Sequence, residues 1–175
     1  ITVSRANFSL NYPANFMLVG AMNPCPCGYW GDDKKSCSCP EYRRKGYYQK
    51  LSGPLIDRID IICTIPRPDQ DALINQQSGA DTHTSAMLKK RVVAAIQRQH
   101  DRKTDGSPWQ NGQLSLQSAS CTLNDRCQQL LHHIMDKGLL TGRTFTKLVR
   151  VARTIADLET SDTIEPHHIT EALQF

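Results

Sequence analysis

The hydrophobic and polar positions divide the chain into two parts. In the first part, Phe16–Met22 and Ile59–Ile65 are almost unbroken apolar runs, as expected for strands covered on both faces. The first ten residues alternate in polarity, and Arg5-Ala6-Asn7 is a plausible turn. This pattern predicts a β-hairpin. Residues 1–68 therefore have the character of the edge of an α/β layer.

Helical spacing dominates the second part. Apolar residues recur every three or four positions in four segments: 84–102, 123–137, 141–158 and 165–173. Gly138 suits the end of the second helix, and Pro166 suits the first turn of the last. The segment Leu51–Arg58 is predicted to form a short helix or turn. The predicted fold class is an α/β fragment, a hairpin plus parallel strands over 1–68, followed by an all-α bundle of about four helices over 69–175.

The predicted strands are too few for an independent parallel sheet, which needs more strands and covering helices. The chain also begins without methionine and without an apolar leader. Both features lead us to expect that it is a piece of a larger protein. No apolar run approaches the length of a membrane span.

Charge is uneven along the chain, which has a formal net charge of +4. Residues 1–68 hold nine Lys and Arg against five Asp and Glu, whereas residues 69–175 hold twelve of each class. The first part is the better candidate for contact with phosphates. The seven cysteines are an odd number, so they cannot all pair, and the composition suggests a reducing cytoplasm. Small buried apolar positions are predicted for Cys63, Cys121 and Cys127.

Three ordered motifs carry a family resemblance: FMLVGAMNPCPCGYWGD, LSGPLIDRIDI and GRTFTKLVRVARTIADLE. Together they resemble the magnesium-chelatase-like AAA+ ATPases, in the ComM-like branch that includes a DNA branch-migration helicase. The resemblance implies a core with a hairpin before the sensor 1 strand and a cysteine-rich insert over 1–68, and a helical lid over 69–175.

The resemblance also implies a function: a competence-related, ring-forming ATPase, a hexamer in the full-length protein, that binds ATP and Mg²⁺ and acts on DNA. The chain contains no G-x-x-x-x-G-K-[ST] phosphate loop. We expect that loop to lie upstream, so this chain alone should hydrolyse no ATP. Two alternatives stay open: an ATPase subunit for metal insertion into a porphyrin, and an autonomous zinc-stabilised nucleic-acid-binding module.

The resemblance assigns roles to four polar side chains. Asn23 would be sensor 1, which orients the attacking water, because an amide both donates and accepts. Arg58 would be an arginine finger that reaches the nucleotide of a neighbouring subunit. Arg143, near a helix N-terminus where a cation is disfavoured, would be the sensor 2 arginine. Arg5, near the hairpin tip, would contact a DNA phosphate. Without the resemblance, each has a plainer interpretation as a turn residue or a solvated surface group.

Four cysteines lie within fifteen residues as two C-x-C pairs, Cys25 with Cys27 and Cys37 with Cys39. Four thiolates suit a structural Zn²⁺ ion, although the usual knuckle has two residues between its cysteines. A disulfide staple is disfavoured by the inferred compartment, and plain loop cysteines stay open. The two adjacent histidine pairs, at 132–133 and 167–168, are predicted to point to different helix faces at the surface or partly buried.

Overall fold

The structure is a computed structural model that describes residues 1–67, 84–103, 108–138 and 140–175. The chain forms two compact units, Ile1–Lys50 and Leu51–Phe175. The boundary expected at residues 68–69 lies outside the described residues and stays a prediction. The structure confirms the fold class at the level of a small antiparallel sheet followed by helices.

The predicted hairpin is confirmed. Strand β1 (Thr2–Arg5) pairs antiparallel with β2 (Phe8–Asn11), and Arg5 lies opposite Phe8 at the tip. On one face, Thr2 donates to the Asn11 side chain at 2.6 Å and the Ser4 and Ser9 hydroxyls lie 2.9 Å apart. Alternation along a two-stranded ribbon places the apolar residues and Arg5 on the other face.

The two predicted buried strands are wrong for this structure. Residues 16–22 and 59–65 form no strand, and side chains from Phe16 to Val19 are 67–88% exposed. An apolar run becomes a buried strand only when neighbouring strands supply hydrogen-bond partners and another layer covers it. The described residues supply neither for these runs, which therefore remain irregular and exposed.

Helix α1 (Glu41–Tyr48) was not expected from the sequence, because its residues are polar and basic and show no apolar periodicity. It follows directly on the cysteine segment. Its side chains bond back to that segment, as described below, so tertiary contacts stabilise a helix too short to be stable alone.

The helices of the second unit agree with the periodicity. They are α2 (Gly53–Ile56), α3 (Ser85–Asp101), α4 (Asp125–Asp136), α5 (Gly142–Leu158) and α6 (Pro166–Ala172). Polar N-caps fix several starts: Thr84, Asn124 and Thr141 each accept a backbone N–H three residues on. Gly138 has φ +70° just past α4, the left-handed conformation that glycine adopts without strain.

The second unit has its own hydrophobic core. A parallel bridge from Leu123 to Ile164 joins the segments that precede α4 and α6. The buried apolar side chains of this core come mostly from α4, α5 and α6, and they include Cys127, Leu131, Leu148, Val149, Ala152, Ile155, Ile164, Ile169 and Ala172. Burial of Cys121 and Cys127 confirms their predicted role, whereas Cys63 is exposed and that prediction is wrong.

Polar side chains are also buried beside this core. Arg153 and Asp157 are fully buried and pair at 3.0 Å between Nη2 and Oδ1. Arg102 donates to both oxygens of Asp157, and the Asn111 amide donates to Asp157 Oδ2 at 2.7 Å. Arg153 also donates to the carbonyls of Ser161 and Asp162, so the pair holds the end of α5 against the following turn.

None of the described helices has the length and apolar character needed to cross a bilayer.

Candidate functional site

The four clustered cysteines converge at one point of the first unit. Their Sγ atoms all lie within 4.8 Å of one another. The Cys25–Cys27, Cys27–Cys37 and Cys25–Cys37 sulfur separations are 3.3, 3.5 and 3.7 Å. Residues ten or more positions apart in the sequence thus present their sulfur atoms to a common centre.

Tight turns bring the sulfurs together. Gly28 N–H donates to the Cys25 carbonyl at 3.0 Å and closes a turn around Pro26 and Cys27. Gly28 and Gly31 have φ of +83° and +80°, a region in which a side chain would be strained. Asp32 accepts the backbone N–H groups of Lys34 and Lys35 at 2.8 and 2.9 Å and turns the chain back towards the second pair.

Helix α1 fixes the far side of this loop. Arg44 donates to the Cys39 carbonyl at 2.8 Å, and its guanidinium lies 3.8 Å above the Trp30 ring. The Tyr48 hydroxyl donates to the Pro24 carbonyl at 2.8 Å. Both ends of the cysteine loop are therefore anchored to one helix.

The thiols differ in their electrostatic surroundings. The backbone N–H of Tyr29 donates to Cys27 and lowers the pKa of that thiol to about 5. Burial raises the pKa of Cys39 to about 11. Without a cation the cluster cannot hold four thiolates, because like charges at these distances repel.

The arrangement fits a metal better than a disulfide. A disulfide requires a sulfur–sulfur distance of about 2.05 Å, and all seven cysteines are free thiols. Four sulfurs at about 2.3 Å from a tetrahedral Zn²⁺ would be about 3.8 Å apart, close to the 3.3–3.7 Å separations. The donor set and its spacing therefore suit a soft, four-coordinate cation.

The other two predicted site residues of the first unit are exposed. Arg5 occupies the last position of β1, beside the two-residue turn at Ala6 and Asn7. Asn23 lies directly before the cysteine loop, in irregular chain and not at a strand end. Its neighbour Pro24 receives the Tyr48 hydrogen bond, so the backbone next to Asn23 is tied to α1.

Arg58 and Arg143 belong to the second unit, and both are exposed. Arg58 donates to the Pro54 carbonyl at 2.5 Å, across the turn formed by α2. Arg143 is the second residue of α5, as predicted. One turn later, Lys147 donates to the Ile59 carbonyl at 2.5 Å, so the segment that follows Arg58 is bonded to the helix that carries Arg143.

Two basic residues of α5 are only partly exposed, and each is bonded to a backbone carbonyl. Lys147 is bonded to the Ile59 carbonyl, and Arg150 donates twice to the Leu114 carbonyl, at 3.0 and 2.7 Å. Sequence periodicity cannot reveal such contacts, because the acceptors are backbone carbonyls distant in the chain.

A second cluster of potential metal ligands was also missed. His167 and His168 approach the same oxygen of Glu159, at 2.9 and 3.1 Å, although adjacent residues were expected to point apart. The fully buried His168 accepts the Glu165 backbone N–H at Nδ1, so its proton lies on Nε2 and points at Glu159. A neutral imidazole in this state has no lone pair left for a metal, and the cluster serves as a helix cap.

Comparison with known proteins agrees with this architecture. Residues 1–73 match the family described as magnesium chelatase, subunit ChlI, and residues 82–175 match the C-terminal part of that subunit. The chain is 35% identical over its whole length to the uncharacterized protein YifB of Salmonella typhimurium and of Escherichia coli, and 33% identical to competence protein ComM of Haemophilus influenzae.

The chain spans about a third of the length of these relatives. The family matches account for all of its residues except 74–81. The chain therefore belongs to the magnesium-chelatase-like AAA+ ATPase family.

Proposed function

We propose that this chain is the sensor, finger and lid portion of a ring-forming ATPase that moves or remodels DNA. The family supports ATP and Mg²⁺ as the cofactors. The observation that carries the choice of DNA is the hairpin, which presents the exposed Arg5 at its tip. Its unit holds seven Lys and Arg against three Asp and Glu, a surplus that suits a polyanion.

Three residues would serve the nucleotide in this proposal. Asn23 would orient the attacking water, Arg143 would couple the lid to the phosphates, and Arg58 would neutralise charge on the transferring phosphoryl group of a neighbouring subunit. The exposure of Arg58 suits a group that acts outside its own chain. The bond from Lys147 to Ile59 supports joint movement of the Arg58 segment and the lid helix. Six subunits would form the ring.

We further propose that Cys25, Cys27, Cys37 and Cys39 hold a structural Zn²⁺ ion. When bound, the ion would neutralise the four thiolates and close the loop. Four protein ligands leave no open position, so the ion would have no catalytic part. Its loop would fix the backbone beside Asn23, which is anchored from the other side by Tyr48.

The test is ATP turnover by the full-length protein with and without branched DNA. We predict that DNA stimulates turnover and that Arg58→Ala lowers it at least tenfold while nucleotide still binds, because arginine fingers carry about 10³–10⁵ in rate. Arg126→Ala, which removes an exposed arginine of α4, is the matched control and should leave turnover unchanged.

Near-normal turnover of the Arg58 variant would refute the finger assignment. An ATPase that ignores branched DNA but responds to a porphyrin and Mg²⁺ would instead support the metal-insertion alternative.

A further inference from the structure

Outside the sulfur cluster, the cysteine loop presents an aromatic and basic surface that no role described so far uses. Trp30 keeps 48% of its surface exposed although it is the largest apolar side chain of its unit. Arg44 covers one face of its ring at 3.8 Å, and the next ring, Tyr29, has Lys35 Nζ at 4.0 Å from its centre. Each of these two consecutive aromatic rings thus has a cationic side chain against one of its faces.

This surface is held in a fixed geometry. The Trp30 backbone N–H donates to the Cys25 sulfur, and Arg44 is bonded to the Cys39 carbonyl while it stacks on the indole. The Trp30 ring is therefore linked to both cysteine pairs, to the first through its own backbone and to the second through Arg44. An aromatic side chain ordered in this way loses little conformational entropy when a flat ligand stacks on it.

The local charges favour an anion. Glu41 is paired with Lys45 at 2.8 Å, and Asp32 accepts two backbone N–H groups but keeps its negative charge. Lys34, Lys35, Arg43 and Arg44 therefore outnumber Asp32 and Asp33 by four to two. A zinc ion bound to four thiolates would carry a net charge of about −2 and offset this surplus, so the cations alone do not identify a ligand.

The combination of the exposed Trp30 ring, the partly buried Tyr29 ring and the nearby cations does identify one. Bases of a single strand can stack on aromatic rings while their phosphates meet Lys and Arg, and this mode tolerates any sequence. In a duplex the base faces are already stacked on one another. We propose that Trp30, with Tyr29, Lys35 and Arg44, forms a platform that binds single-stranded DNA.

This inference rests on the proposed DNA-acting function for the nature of the partner, but it can be tested on this chain alone. The probe is a labelled oligothymidylate of about 20 nucleotides, long enough for the usual site sizes, compared with a duplex of equal length. Binding to the zinc-loaded chain is followed by fluorescence anisotropy. The experiment uses a Trp109→Phe background, in which Trp30 is the sole tryptophan and a ring still packs against His100. Quenching of tryptophan fluorescence then reports on Trp30 alone.

We expect the single strand to bind more tightly than the duplex and to quench Trp30. Trp30→Ala should weaken binding at least about fivefold, the low end of the loss of one base–aromatic stack, whereas Trp30→Phe should retain most of the affinity. Tyr42→Ala is the matched control: this tyrosine is 74% exposed and lies two positions before Arg44, on the far side of α1.

Unchanged affinity of a zinc-loaded Trp30→Ala variant, or binding without quenching, would overturn the inference. If Arg5→Gln weakens binding while Trp30→Ala does not, the platform is refuted and the proposed DNA-acting function stands. Because quenching is measured with Trp30 in place, the test remains decisive even if Trp30→Ala fails to fold.

Discussion

At the scale of single residues, the strongest constraints are buried charges. Arg153 and Asp157 lie in the interior of the second unit, where an unpaired charge is costly. Burial by itself would raise the pKa of Asp157, but hydrogen bonds from Arg102 and Asn111 and the charge of Arg153 hold that pKa below its usual value. The carboxylate therefore contributes stability at neutral pH, and this contribution is lost only as the pH falls below about 4.

We predict that Asp157→Ala lowers the free energy of unfolding at neutral pH by about 3–5 kcal/mol, because it leaves buried arginines uncompensated. Urea denaturation followed by far-UV circular dichroism measures the change. Asp162→Ala is the matched control: Asp162 also pairs with an arginine, Arg98, but its side chain is 93% exposed. Its loss should cost less than about 1 kcal/mol, and equal effects of the two substitutions would contradict the assigned burial.

At the scale of elements, an apolar stripe does not have the same consequence in every helix. Helix α3 has apolar residues at helical spacing, Leu88, Val92, Ala95 and Ile96, yet only Ala95 is buried among the described residues of that helix. Helix α5 buries seven of its residues. Both helices show the required periodicity, so the difference arises from which neighbours pack against each one.

This contrast predicts different costs for the same substitution. Leu131→Ala in α4, where the side chain is 3% exposed, should lower the free energy of unfolding by about 2–5 kcal/mol. Leu88→Ala in α3, where 45% of the side chain is exposed, should change it by less than about 1 kcal/mol. Chemical denaturation measures the free energy of unfolding of both variants. A comparable loss for Leu88→Ala would show that the Leu88 face of α3 is covered in solution.

At the scale of the whole molecule, the chain consists of two units with different sources of stability. The second unit has a hydrophobic core, whereas the first has a hairpin, one helix and a cysteine loop with few buried side chains. A small unit of this kind gains much of its order from a bound metal.

We therefore predict that the chain purified without chelator carries about one Zn²⁺ ion, the complement of a four-cysteine site. Removal of the ion should release Trp30 from its contact with Arg44 and change its fluorescence, while the helical unfolding transition of the second unit persists. Mass spectrometry gives the metal content, and Trp30 fluorescence in the Trp109→Phe background, with circular dichroism, follows the two units.

Cys37→Ser should lose the ion, whereas Cys63→Ser, which changes an exposed cysteine outside the cluster, should retain it. A metal content below about one-tenth of an equivalent would contradict a structural zinc site.

The sequence by itself determined the local features of this protein. Alternation over ten residues was enough to place the hairpin and Arg5 at its tip. Periodicity, with Gly138 and Pro166 as boundary signals, placed the helices, since both patterns depend on neighbours a few residues away. The C-x-C spacing indicated the candidate ligands, and the ordered motifs indicated the family.

Only the tertiary structure decided what each feature contacts. The Phe16–Met22 run is exposed, and the two cysteine pairs converge on one centre. Lys147, Arg150 and His168 bond to partners that the periodicity of the sequence does not indicate. The physical reason is that burial and side-chain pairing depend on which other segments lie nearby. A pattern along the chain specifies the face that can be buried, but the packing of distant residues decides whether it is.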